Sequence, residues 1–344
     1  MIDTLLLSSL LKGTLSTAKY IFVGDYYQFP SVSQGQVLKD MIDANLLDVV
    51  KLNCLYRQTE GSYIVNLAYE IKNKEISINL LNIVFFRMMS PIFSYPRAKS
   101  VVVCGDVHGD FLKLVYDMCV SHDMHNTLVI VAGDCGFGFD DYLCYKNLFL
   151  QYIEKYLIKH NCWIAMVRGN HDDPSYFSEQ KMSHRRFCTI PDYSVIEACG
   201  HNILCVGGAI SIDRTYRLDE MENNPGKTYY WHDEAVRYDA QKMQSITDSG
   251  IKIDTVVTHT APSFCEFITK KGLEEWMEVD PDLEADCDNE RKQLDELYSH
   301  LRRDGHPLRY WYYGHFHHSW NSEIDGVLFR MLNIAELHEF PTSR

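Results

Sequence analysis

No apolar run in this chain of 344 residues approaches the ~18–20 residues that a membrane-spanning helix needs. The N-terminal apolar segment Leu5 to Leu11 is preceded by Asp3 and by no basic residue, which argues against a signal peptide and for a buried amphipathic helix. The 11 cysteines are scattered, odd in number, and form no CxxC pair. That argues against a zinc knuckle or a disulfide framework and for a reducing, cytoplasmic setting. No GxxxxGK[ST] loop is present to cradle nucleotide phosphates. Between Glu274 and Glu290 nine carboxylates occur with no Lys or Arg, which reads as a solvated helix face or loop.

The shortage of basic residues is uneven. Residues 1–97 carry 9 Lys/Arg and 8 Asp/Glu, which leaves 24 against 39 for the remainder, a balance of −15. A body that acidic is poorly suited to gripping long polyanions by counterion release. It disfavours nucleic acid as the main partner and favours a small phosphorylated molecule, whose charge metal ions can cancel locally. The length accommodates one large α/β domain and a smaller unit.

What the chain does contain is an ordered series of short polar motifs. These are Gly105-Asp106-Val107-His108-Gly109, Gly133-Asp134, Gly169-Asn170-His171-Asp172, Thr258-His259-Thr260 and Gly314-His315-Phe316-His317. The apolar runs Val101–Cys104, Leu128–Ala132, Trp163–Val167 and Asp254–Val257 lead into the first four. Ligands at the C-terminal ends of successive buried strands converge on one crevice in open α/β sheets. Asp, Asn and His suit Mn²⁺, Fe or Zn²⁺ without any thiolate. Two such ions, roughly 3.5–4 Å apart, clamp both oxygens of an in-line phosphoryl displacement. An isolated Gly-Asp or Gly-His pair would be a turn glycine beside a surface side chain; five motifs in order reverse that reading.

From about Ala98 to the end, the chain resembles the calcineurin-like metallophosphoesterases, whose pattern of GDxH, GD, GNHD, a later His and GHxH is matched without a gap. The resemblance implies a four-layer α-β-β-α sandwich over residues 98–344. It implies two divalent ions, Mn²⁺ foremost, with Fe²⁺/³⁺ or Zn²⁺ as alternatives. Asp106, His108 and His317 would hold the first ion; Asn170, His259 and His315 would hold the second, with Asp134 bridging. His171 would steady the transition state or protonate the leaving oxygen, and Arg168 would grip the substrate phosphate with its planar fork. The implied reaction is cleavage of a phosphomonoester or phosphodiester by a hydroxide shared between the ions. Relatives that act on phosphoproteins carry GDxVDRG at the second motif; here Phe137 stands where the His-orienting Asp would be, and Asp172 replaces their Glu. A protein-phosphatase assignment does not follow, and the partner of His171 is left open.

The first quarter is similar to a different family. Ile21-Phe22-Val23-Gly24-Asp25-Tyr26-Tyr27-Gln28-Phe29-Pro30, followed by Leu55-Tyr56-Arg57-Gln58 and a helical stretch from Ser62 to Lys72, resembles the middle of a RecD-type superfamily 1 DNA helicase. Gln28 and Arg57 would be its γ-phosphate sensors. Without a phosphate loop or the Mg²⁺-binding acidic pair, residues 1–76 read as a truncated helicase-like fragment, a remnant joined to an unrelated enzyme. Residues 77–97 read as a linker, with Met88 or Met89 a plausible independent start.

Within the second domain, Phe111, Leu114, Val115, Met118 and Cys119 fall on one helical face, and Asp140 to His160 carries a second through Leu143, Leu150, Ile153 and Leu157. Ile203–Gly208 reads as a core strand whose glycines approach the site, and Glu284–Arg303 as a charged helix. Tyr310–Tyr313 has strand propensity and reads as core. The insertion between Gly208 and Asp254 offers Arg214, Tyr216, Arg217, Tyr229, Tyr230 and Trp231. These could bind a phosphate and stack on a base, or pack the lobe while the arginines pair with Asp219, Glu220 or Glu222. Cys104 and Cys135 read as small hydrophobes, and His318 points away from His317. The rival classes are a DNA-processing nuclease or phosphatase guided by the helicase-like segment, and a metal-binding regulatory module without turnover. Oligomeric state has no signature in the sequence.

Overall fold

The computed structural model describes residues 4–13, 40–42, 44, 91–265 and 273–341. The chain divides into two compact units, Met1–Glu75 and Ile76–Arg344. In the first, Leu5–Leu11 lies within a helix, Thr4–Gly13. Gln28, Arg57 and the stretch from Ser62 to Lys72 lie outside the described residues, as does most of the expected linker.

The second unit is built on two sheets. One has five strands: β2 (Ser100–Cys104), β3 (Thr127–Ala132), β4 (Trp163–Val167) and β5 (Phe187–Thr189) run parallel, and β12 (Leu337–Glu339) closes the β2 edge antiparallel. The other has seven strands in the order β1 (Ile92–Ser94), β6 (Ser194–Ala198), β7 (His201–Val206), β8 (Thr255–Thr258), β9 (Tyr310–Tyr313), β11 (Val327–Met331) and β10 (Trp320–Ile324). Strands β7, β8, β9 and β11 are mutually parallel. The sheet begins upstream of the expected Ala98 boundary, because Ile92–Ser94 pairs in parallel with Val195–Glu197. This part of the expected linker is therefore an edge strand.

Alternation along each strand sorts side chains into layers. Val101, Val103, Leu128, Ile130, Ile203, Cys205, Val257 and Tyr312 meet between the two sheets. Val102, Cys104, Val129, Val131, Ile164 and Met166 face the opposite way, onto Phe111, Leu114, Phe149 and Leu157 of the covering helices. Behind the second sheet, Leu204, Val206, Trp311 and Tyr313 pack on Met243, Ile246, Leu294, Leu297 and Leu301. Helices, sheet, sheet, helices: the four-layer sandwich follows from strands buried on both faces. Each fully buried Leu contributes roughly 2 kcal/mol to holding these layers together.

Two helical details differ from the pattern in the sequence. The helical face Phe111, Leu114, Val115, Met118 and Cys119 is buried, but from Tyr142 to His160 the inward residues are Tyr145, Phe149, Ile153 and Leu157, with Leu143 and Leu150 exposed. The middle of this helix, Leu148–Ile153, is π-helical. Its wider turn keeps residues four apart in line and rotates Leu150 outward. The acidic stretch is not uniformly solvated either: Asp280 and Asp286 grip Arg214, and Glu290 is buried within the helix Leu283–Arg303. Among the described residues, no helix is long and apolar enough to cross a membrane.

Candidate metal centre

The five motifs leave the C-terminal ends of β2, β3, β4, β8 and β9 and meet along one edge of the sandwich. Asp106, directly beyond β2, is fully buried; its carboxylate accepts the N–H of His315 at 3.0 and 3.2 Å, and Oδ2 is 3.1 Å from Nε2 of His317. Nε2 of His108 lies 3.0 Å from Nε2 of His317 and 3.8 Å from Oδ2 of Asp134. The donor atoms of Asp106, His108, Asp134 and His317 all fall within 4.8 Å of one another. On the other side of Asp134, its Oδ1 is 3.1 Å from Nε2 of His259. Oδ1 of Asn170 is 3.0 Å from both Nε2 of His259 and Nδ1 of His315. All seven expected ligands are thus brought together, as two nests of donor atoms with the Asp134 carboxylate between them.

The surrounding atoms aim these donors. Nδ1 of His259 donates to the Ala132 carbonyl at 2.7 Å, which leaves Nε2 to face the nest. Nδ2 of Asn170 donates to Oγ of Ser211 at 3.0 Å, so its carbonyl oxygen turns inward. Ser211 in turn donates both N–H and O–H to Glu234, each at 2.6 Å. Burial pushes the Glu234 carboxyl up to about 8, against the pull of Ser211 and Arg217. A Cβ on Gly314 would collide with Asp106, and one on Gly169 with Asp134, so only glycine lets the backbone pass this close. His108, Asp134, His315 and His317 all have left-handed backbones, with φ between 46° and 70°. Such strain costs about 1–3 kcal/mol per residue and collects where function over-determines it.

The donors already behave as a charge cluster. Burial pulls His259 down, but Asp134 and Asp106 outweigh it and raise it to about 10. Burial raises Asp134, yet His259, His171 and His108 hold it well below the usual carboxylate range. Carboxylate oxygen, amide oxygen and imidazole nitrogen suit borderline divalent cations, and facing imidazole nitrogens 3.0 Å apart fit a bound cation. Cys104 and Cys135 are fully buried, which pushes both thiols well up; neither is a ligand.

His171 stands beside the nests. Its N–H donates to Oδ1 of Asp134 at 2.8 Å, and its ring packs edge-on against His108. Burial lowers it to about 4 despite Asp134. Its ring partner is Arg217, whose Nη2 lies 2.6 Å from Nε2. Sequence spacing had offered Arg217 only as one basic residue of an insertion. Asp213, rather than Asp219, Glu220 or Glu222, holds it at 2.7 Å, and Arg214 pairs with Asp280 and Asp286 instead.

The expectation that Arg168 grips the substrate phosphate does not match its surroundings. Its guanidinium is buried and occupied: Nε donates to Asp192 at 2.8 Å, Nη1 to the Glu234 carbonyl at 2.6 Å and Nη2 to that of Ala235 at 3.1 Å. Gly207 and Gly208, expected to approach the site, make room for this side chain instead, since a Cβ on either would strike Arg168. Phe137 is buried among Phe111, Tyr145, Phe149 and Tyr176. The Asp172 carboxylate accepts the N–H groups of Cys135, Gly136, Phe137 and Gly169 at 2.8–3.0 Å and so fixes the turn after Asp134.

Residues 99–319 match the model of the calcineurin-like phosphoesterases. The chain belongs to that family. Residues 1–83 match the model of an AAA domain, compatible with a helicase-like fragment. Over 150 residues the chain is 27% identical to the serine/threonine-protein phosphatase 6 catalytic subunit of Caenorhabditis elegans, covering 38% of this chain and 44% of that relative. It therefore spans less than half the length of this relative. Similar solved structures include the phosphopantetheinyl hydrolase PptH of Mycobacterium tuberculosis, at 14% identity and TM-score 0.34 over 69% of this chain and 90% of that one. Another is a Saccharomyces cerevisiae protein serine/threonine phosphatase with similarity to human phosphatase PP5, at 14% and 0.30 over 80% and 83%.

Proposed function

We propose that residues 91–341 hydrolyse a phosphomonoester or phosphodiester of a small molecule, using two divalent cations bound at the strand ends. This reading assigns Asp106, His108 and His317 to one ion, Asn170, His259 and His315 to the other, and Asp134 to both. One observation carries it: the donor atoms of these seven residues form two nests that share the Asp134 carboxylate. Mn²⁺ is the foremost candidate, with Fe²⁺/³⁺ and Zn²⁺ behind it. When bound, such a pair supplies Lewis acidity and a nucleophile derived from water at neutral pH.

The chain's own residues do the rest. Asp134 is pinned by the His171 N–H, Asn170 by Ser211, and His259 by the Ala132 carbonyl. His171, neutral and with its ring proton on Nδ1, steadies by hydrogen bonding the charge that develops on the leaving oxygen, one of the two roles the family resemblance implies. Arg217, anchored by Asp213 and donating Nη2 to Nε2 of His171, fixes the orientation of that ring; Arg168 holds the backbone beside Glu234. A cavity of about 380 Å³ next to His108 and His171, lined also by Phe139, Tyr145 and Leu148, has the size of a small-molecule pocket. A cytoplasmic setting belongs to the same reading and is supported by ten described cysteines that are all free thiols. The test is a phosphoester panel on the full chain, stripped of metal and then given Mn²⁺, Fe²⁺ or Zn²⁺. Turnover should appear only with metal; full activity of the stripped enzyme would refute the reading.

A further inference from the structure

A second group of metal-ligating side chains lies away from this edge. Asp123 and His125 stand in the loop before β3, and His160 ends the helix Glu154–His160. His160 is only 7% exposed, and its buried Nδ1 has no hydrogen-bond partner. That atom lies 3.7 Å from Oδ1 of Asp123, too far for a hydrogen bond. Nε2 of His125 lies 3.1 Å from the same oxygen, and the two imidazoles stack with centroids 4.6 Å apart. One donor atom from each residue falls within 4.8 Å of the other two.

We infer that Asp123, His125 and His160 bind a divalent cation of the Zn²⁺ class. Zn²⁺ bonds of about 2.0–2.2 Å in a tetrahedron separate the ligand atoms by about 3.4 Å, and 3.1 and 3.7 Å bracket that spacing. Two imidazoles with one carboxylate select zinc-like ions over Ca²⁺ or Mg²⁺, which take oxygen ligands. Oδ1 of Asp123 reaches His125 but leaves Nδ1 of His160 unmet at 3.7 Å, whereas a cation held among the three satisfies all of them. Leaving a buried ring nitrogen unmet is costly. The loop and the helix end are already held in register: Asn126 N–H donates to the His160 carbonyl at 3.0 Å, and Asn161 Nδ2 to Asn126 Oδ1 at 2.8 Å. The ion clips these two segments together at the start of β3. Asp134 follows the other end of that six-residue strand, about 20 Å away at ~3.3 Å per residue. The clip therefore stabilises the fold by mass action and takes no part in the reaction.

The experiment counts Zn²⁺ retained per full-length chain after saturation and desalting, for the wild type, Asp123→Ala and His125→Ala. Both substituted side chains are exposed, so the fold is not at risk. Each variant should retain one equivalent fewer, lose the zinc-dependent rise in melting temperature, and keep wild-type hydrolysis with saturating catalytic metal. In a His259→Ala background, Asp123→Ala should again remove one equivalent, which separates this site from the proposed catalytic ions. Equal zinc content in the wild type and both variants overturns the site. A difference that appears only at millimolar free zinc means an adventitious ion only and overturns it as well.

Discussion

Nη2 of Arg217 lies 2.6 Å from Nε2 of His171, while Nε of the same guanidinium is held by Asp213 at 2.7 Å. Arginine can only donate, so Nε2 of a neutral His171 accepts and the ring proton sits on Nδ1. Arg217→Ala should therefore lower kcat by about 10²-fold or more while metal content stays unchanged. Arg217→Lys should recover only part of it, because a point ammonium cannot hold Asp213 and His171 at once. Steady-state kinetics beside metal analysis checks this; wild-type kcat in Arg217→Ala would remove the residue from the reaction.

Arg168 predicts the opposite split. Its fork satisfies Asp192 and the carbonyls of Glu234 and Ala235. Arg168→Ala strands buried acceptors and should cost on the order of 3 kcal/mol of stability, read as a lower denaturant midpoint. The Michaelis constant of the fraction still folded should stay near wild type. A large rise in that constant with unchanged stability would return Arg168 to the substrate.

The contrast between these arginines marks what the sequence could carry. Asp106, Asp134, Asn170 and His259 were legible because each follows an apolar run, His315 because it follows the strand-prone Tyr310–Tyr313, and strand ends in parallel sheets converge by topology alone. The two-sheet sandwich was legible through the family pattern. The direction of Arg168 was not: it depends on space left by Gly207 and Gly208, some forty residues later in the chain. Nor was the pairing of Arg214 with Asp280, which forms only once the helices are in place. The inward face of the Tyr142–His160 helix was misread because a π-helical turn breaks the 3.6-residue period. The support of Asn170 by Ser211 had no local signal beyond the strand that ends just before it.

That support makes a graded prediction. Asp134→Asn or His259→Ala removes a donor from the nests, and nearly all hydrolysis should be lost together with one or both ions. Ser211→Ala leaves every donor in place but frees the Asn170 amide to rotate. Metal affinity should fall about 10–100-fold, as for other groups that orient ligands, with kcat at saturating metal close to wild type. Titration in metal buffers separates the two patterns. Unchanged affinity in Ser211→Ala would show that Asn170 is oriented by something else.

The buried pair of His201 and Asp254 sets a pH dependence of stability away from the site. Nδ1 of His201 is 2.7 Å from Oδ2 of Asp254, and Oδ1 accepts the Asn202 N–H at 3.1 Å, which ties the start of β7 to the residue before β8. The hydrogen bond to Asp254 raises His201 above its ordinary value, against the opposing effect of burial. A histidine raised in the folded state contributes stability that is complete below its unfolded value of about 6.5. That contribution is lost as pH climbs through the folded value. The excess melting temperature of the wild type over His201→Gln should thus be largest near pH 6 and shrink steadily towards pH 9. Taking the difference cancels His259 and His317, which are also raised and titrate in the same direction. A gap that is constant across the range would mean the pair acts as a neutral hydrogen bond, with no charge on His201 to lose.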